Sequence, residues 1–236
     1  MKKNVLNFSI SAGLFVLFAI FTIIVKFVDI DLVINTKTNI GLSTMNKYVF
    51  KSITPSDAWK TVSTIILVLA CLVVVALAVI ATLEFIKSKK LSKVNRKIMF
   101  LLGLYIITAL FYVLFELVIV NYRPLLDEGV VKASYPSSHT LLVCVVCLSA
   151  CFIVPDYIKN NPLKIAVIAV LVALSIFAPI TRLLAGVHWL TDVVGSLLLA
   201  AALVMSYYSA ICCIKKSNTE KTPNEFGVFL LPKSNI

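Results

Sequence analysis

Six apolar runs, each long enough to cross a bilayer, leave this chain few architectures to choose from. A membrane-spanning helix takes about 20 apolar residues, and such runs occupy roughly 8–25, 61–86, 98–120, 138–154, 164–180 and 190–214. In lipid every backbone N–H and C=O must be satisfied within the segment, so runs of this kind fold as helices. The expected fold is all-α, a polytopic six-helix transmembrane bundle. With 60% hydrophobic residues and a mean hydropathy of +1.01, the chain exceeds the roughly half-apolar composition of a soluble domain. The runs are spread evenly over the 236 residues, so 1–236 reads as a single transmembrane domain. The first run follows Met1-Lys2-Lys3 as the core of a signal peptide would. It is long and lacks a small-x-small cleavage site, so it reads as a retained helix.

The formal net charge is +11, which in a soluble protein would suggest nucleic acid. Here many of the lysines lie in short loops beside apolar runs, the pattern of membrane orientation and anionic headgroups, and nucleic-acid binding is set aside. Met1–Lys3, the basic stretch 87–97, the turn 159–164 and Lys215-Lys216 all fall on one side of a six-span plan. By the positive-inside rule that side is cytoplasmic. Both termini are then inside, with 215–236 as a cytoplasmic tail, in a multi-pass protein of the cell membrane. Between the first two spans, Leu42, Met45, Val49 and Ile53 recur at helical spacing, which fits a short helix in the outer interface or an ordered loop. Thr54-Pro55-Ser56-Asp57 then supplies a stop and a cap for the second span. The six cysteines lie in or at the ends of apolar runs. Cys144, Cys147 and Cys151 share a helix face and read as small packing residues.

Polar residues are costly at membrane depth, and where they gather they mark a site. The two histidines of the chain, His139 and His188, both stand in such gatherings. Arg123 follows span three, Ser137, Ser138 and His139 open span four, Arg182 closes span five, and His188 and Asp192 begin span six. The span count alone places every one of them on the outer side. His188 and Asp192 are four residues apart and share a face if both are helical. A carboxylate there fixes the imidazole tautomer and leaves the other ring nitrogen to attack. Arg123 and Arg182 carry planar forks that match phosphate oxygens, although snorkelling to headgroups is the commoner fate of an arginine at a span end. Ser137 and Ser138 precede a helix start, which either caps that helix or binds an anion there. His139 can donate a proton to a leaving oxygen. Taken together these groups suit phosphoryl transfer through a phosphohistidine that water then hydrolyses. The arginines and the helix start carry the charge stabilisation. No metal or other cofactor is expected, since no acidic cluster suggests magnesium.

These residues resemble the type 2 phosphatidic acid phosphatase (PAP2) superfamily, which includes lipid phosphate phosphatases and related haloperoxidases. The family's motifs are Lys-x6-Arg-Pro, Pro-Ser-Gly-His and Ser-Arg-x5-His-x3-Asp. The chain reads Glu116 to Arg123-Pro124, Pro136-Ser137-Ser138-His139, and Thr181-Arg182 to His188 to Asp192. The motif region is thus 116–192. The resemblance implies that His188 is the nucleophile, Asp192 its partner and His139 the general acid, with Arg123, Arg182 and Ser137 as phosphate ligands. It implies a lipid phosphate or isoprenoid diphosphate as substrate, at the outer membrane face.

Three positions depart from the pattern. Thr181 keeps the hydroxyl of serine. Ser138 stands where glycine would let the backbone approach phosphate. Glu116 reverses the charge of a lysine, and a carboxylate about 4 Å from a phosphate charge costs up to ~4 kcal/mol at an effective dielectric of 20. On a continued helix Glu116 lies two turns below Arg123 on nearly the same face. The expectation is that Glu116 holds Arg123 as a modulator and that Lys132 restores the lost positive charge. Glu116 and Ser138 also favour a second reading, a catalytically weak or inactive scaffold of the same fold that binds anionic lipid. A small transporter is disfavoured, because the middles of the spans lack charged or broken-helix features.

Overall fold

The computed structural model describes residues 2–33, 36–126 and 129–220. Its long helices are α1 (Lys2–Phe27), α3 (Asp57–Ser88), α4 (Arg96–Leu117), α5 (Ser138–Ala150), α7 (Asn161–Leu184) and α8 (Leu190–Glu220). A one-turn α6 (Val154–Tyr157) extends α5. Between α1 and α3 lie a hairpin of β1 (Asp31–Val33) and β2 (Thr38–Ile40), antiparallel with Asp31 opposite Ile40, and the short α2 (Ser43–Lys51). Among the described residues, six helical segments are long and apolar enough to cross a membrane: Asn4–Phe27, Asp57–Ser88, Arg96–Leu117, Ser138–Tyr157, Asn161–Leu184 and Leu190–Cys213. The protein is therefore an all-α, multi-pass membrane bundle, as the apolar runs predict. The tail expected from 215 onwards is helical as far as Glu220, and 221–236 lie outside the described residues.

Two helices form the centre. The α5 span is 56% buried and the α8 span 44%, against 17–22% for the other four. The α5 helix packs on α3, α7 and α8, and α1 lies along α8. Small side chains on α5 let its neighbours approach. Cys144 and Cys147 are buried there, and the Cys144 thiol donates to the Ser175 carbonyl of α7 at 3.4 Å. Exposed Ile20, Leu69, Leu110 and Ile176 lie on the outer helices, where a bilayer solvates them.

One end of the bundle is clamped by polar groups. Lys97 pairs with Asp156 at 2.7 Å, Asn95 donates to the same carboxylate at 3.0 Å, and the Tyr157 hydroxyl donates to Glu84 at 2.8 Å. These contacts tie α3, α4 and α6. The opposite end, where α1, α4 and α7 finish and α3, α5 and α8 begin, carries every motif residue. It is centred on Tyr135, which is fully buried. The Tyr135 hydroxyl is 2.8 Å from Thr22 of α1, and its ring packs on Phe18 and Phe115. A Cβ at Gly195 would lie 2.6 Å from that ring, so only glycine lets α8 pass so close.

Three local features sharpen or correct the sequence expectations. The α4 helix stops at Leu117, with Val118 as its C-cap, rather than continuing to Val120. The segment that follows pairs Tyr122 with Ala133 as an antiparallel bridge. Proline at 124 disfavours the helical conformation for the residue before it, so Arg123 sits on an extended arm and not above Glu116. Second, the segment that reads as an interfacial helix or an ordered loop is the helix α2; its buried residues are Ser43 and Asn46 while Met45 is exposed. Its inward face is polar because it bonds to the start of α8. Third, α8 begins at Leu190, so His188 lies just before the helix instead of within it.

Candidate active site

The arm that carries Arg123 is fixed by its own backbone. Arg123 N–H donates to the Lys132 carbonyl at 3.1 Å, and Ser134 N–H to the Asn121 carbonyl at 2.9 Å. This hairpin delivers Arg123 to the site and leads directly into the second motif. Lys132 is exposed on it. The second and third motifs are joined by Ser137, whose N–H donates to the Asp192 carbonyl at 3.2 Å. Ser196 Oγ donates to the Ser137 carbonyl at 2.9 Å and to the Asp192 carbonyl at 2.8 Å. The Ser137 hydroxyl accepts from Thr140 at 3.1 Å. The buried Ser137 therefore fastens the two motifs together, while Ser138 lines the cavity beside His188.

Arg182 is buried one turn inside the end of α7, past Pro179. Its Nη1 donates to Ser63 of α3 at 3.3 Å. The Thr181 hydroxyl donates to the Ala178 carbonyl of its own helix at 2.9 Å.

His188 is 3% exposed and Asp192 fully buried. The Nδ1 of His188 lies 3.5 Å from Asp192 Oδ2, slightly beyond hydrogen-bond range. That same oxygen accepts from Trp189 N–H at 2.9 Å, which caps the first turn of α8. The carboxylate thus holds the helix start and faces the imidazole with one atom. The other ring nitrogen, Nε2, is buried and makes no hydrogen bond among the described residues. Burial, then the Arg182 and Arg123 guanidiniums, hold the His188 pKa well below the usual 6.5. The ring is neutral near pH 7 and keeps its lone pair. His139, second in α5, is within electrostatic reach of Arg182, His188 and Arg123. The three motifs converge as the span count predicts.

Arg123 divides two cavities. One, of about 20 Å³, is lined by His188, Arg123, Ser138, Glu116 and Tyr112 among others, and holds about one water. The other, of about 230 Å³, is lined by Lys60, Asp57, Ser56, Arg123 and Val187 among others. Glu116 and Arg123 share the smaller cavity, but no hydrogen bond or ion pair joins them among the described residues. The expected clasp is absent because α4 ends before it can form.

A network that sequence reasoning missed supports this arrangement. Asn46 of α2 accepts from Thr191 N–H at 3.2 Å and donates to the Thr191 hydroxyl and the Gly41 carbonyl, each at 2.9 Å. Asn121 accepts from Gly41 N–H at 3.1 Å and donates to Thr191 at 3.4 Å. The Trp189 indole donates to the Tyr122 carbonyl at 2.7 Å. All of these groups flank the His188–Asp192 pair or the Arg123 arm. Asn46→Ala leaves the Thr191 amide without its acceptor, a loss of about 1–3 kcal/mol. The variant's melting temperature in detergent is expected to fall accordingly, measured by thermal denaturation beside the parent.

Fold and site together define a multi-pass helical membrane protein with a buried imidazole–carboxylate pair among arginines at one end of its bundle. Residues 98–212, a stretch that holds all three motifs, match the PAP2 superfamily. The fold is similar to the crystal structure of a transmembrane PAP2-type phosphatidylglycerolphosphate phosphatase from Bacillus subtilis. The TM-score is 0.57 at 20% identity, covering 91% of this chain and 98% of that one. No curated protein matches the sequence.

Proposed function

We propose that the protein is a metal-independent membrane phosphatase that hydrolyses a lipid phosphate or isoprenoid diphosphate through a phosphohistidine. The observation that carries this reading is His188: buried, with Nδ1 facing Asp192 and Nε2 making no hydrogen bond of ordinary geometry among the described residues, beside two arginines. In the first step Nε2 forms a bond to phosphorus as the ester P–O bond breaks. His139, as general acid, gives its proton to the departing oxygen. Asp192 stabilises the charge that develops on the ring, and Arg123, Arg182 and Ser138 hold the phosphoryl oxygens. In the second step water attacks phosphorus, its proton passes to His139, and the P–N bond breaks to release inorganic phosphate. Lys132, exposed on the Arg123 hairpin, adds positive charge to that arm.

The lysine and arginine distribution supports an outer-face site with both termini inside. A headgroup reaches such a site while its tail stays in lipid. The Bacillus subtilis neighbour acts on a phosphatidylglycerolphosphate, which fits the same class of substrate. The second reading, a lipid-binding scaffold without turnover, is favoured by Glu116 at the phosphate cavity. Purified protein given a panel of lipid phosphates and diphosphates separates the two. Phosphate release undiminished by a chelator supports the enzyme; release from no substrate supports the scaffold.

A further inference from the structure

Glu116 and Tyr112 are four residues apart on α4, so they stand on one face one turn apart. Both are exposed, and both line the small cavity that also holds His188 and Arg123. Glu116 forms no ion pair among the described residues, although Arg123 borders the same cavity. A carboxylate so placed repels the phosphate that the arginines attract. That repulsion is offset when the substrate itself brings a cation. A carboxylate beside an aromatic face is the pair of groups that receives an ammonium, one by charge and the other through its ring quadrupole.

We propose that Glu116 and Tyr112 form a cation subsite and that the preferred substrate is a lipid phosphate whose leaving alcohol carries a free amine close to the ester oxygen. This deepens the phosphatase reading and rests on it. The phosphate lies against Arg123, Arg182 and His188, and the ammonium lies outward against α4. The cavity's free space of about 20 Å³ is too small for a headgroup, so the substrate is admitted by displacement of the exposed Glu116 and Tyr112 side chains. Glu116 is a specificity residue here, and no step of bond making passes through it.

The test uses the purified full chain in mixed micelles with three single-chain probes: sphinganine 1-phosphate, its N-acetyl derivative, and lysophosphatidic acid. The expected result is a kcat/KM at least about tenfold higher for the amine than for the N-acetyl derivative, equivalent to about 1.4 kcal/mol. Glu116→Gln brings that ratio towards the value set by bulk alone, Glu116→Asp keeps part of it, and Glu116→Lys shifts preference to lysophosphatidic acid. A ratio unchanged by Glu116→Gln, or equal rates on all three probes, overturns the subsite and leaves the phosphatase standing. Release from none of these probes, with release from other lipid phosphates, also overturns the subsite. Release from no lipid phosphate at all overturns both.

Discussion

His188→Ala is expected to abolish phosphate release, with kcat/KM falling by more than about 10⁴-fold, because the proposed covalent step has no other nucleophile. Acid quench with a ³²P-labelled substrate should trap a phosphoenzyme in the parent and none in the variant, and peptide mapping should place the label on His188. A label on His139 would reverse the two roles. The substitution also has a signature in stability. The unfolded chain binds a proton at this residue near pH 6.5, while the folded chain resists it because its pKa is held lower. The unfolded state therefore gains protons as pH falls below 6.5, and the parent loses stability there by at most about 1.4 kcal/mol per pH unit. The variant lacks this loss. Thermal denaturation in detergent should show the variant gaining on the parent between pH 6.5 and 5, and a constant difference between them above pH 7.

Asp192→Asn carries the second largest expected effect. The carboxylate caps Trp189 N–H and faces His188 Nδ1 through the same oxygen. An amide of the same size can keep the cap through its oxygen. It then offers the imidazole no charge when the ring becomes cationic on attack. The expected outcome is a fold of near-parental stability and a kcat lower by about 10³–10⁴-fold, read by steady-state kinetics beside a melting curve. Asp192→Ala loses the cap as well, so its melting temperature should fall with its activity. Equal activity of Asp192→Asn and the parent would remove the carboxylate from the mechanism.

Much of this was legible in the residues. Long apolar runs admit only helices, and six of them place Arg123, Ser137, His139, Arg182 and His188 at one end without reference to any motif. Covalent neighbourhood does the rest: His188 and Asp192 are four apart, and Arg182 is six before His188. The missed features depend on tertiary contact. Asn46 and Asn121 look like ordinary loop polar residues, and nothing in their sequence surroundings shows that both meet Thr191. The polar side of α2 is a related case: periodicity marks Leu42, Met45, Val49 and Ile53 as the apolar stripe, and nothing in it shows that a helix beside an unsatisfied amide turns its polar side to that amide. The Glu116–Arg123 clasp turns on a boundary: a continued α4 would bring the two together, but the helix stops at Leu117 and Pro124 keeps Arg123 extended.

The inward asparagine of α2 changes what the segment between the first two spans is for. Such connections are commonly regarded as tethers that can be trimmed or exchanged. Here residues 41–46 supply an acceptor to a backbone amide next to Asp192, so a chimera that replaces this stretch alters the proposed reaction centre from outside it. A hybrid with its spans intact and its motifs untouched would still turn over slowly, and restoring one asparagine at the right depth would be the repair.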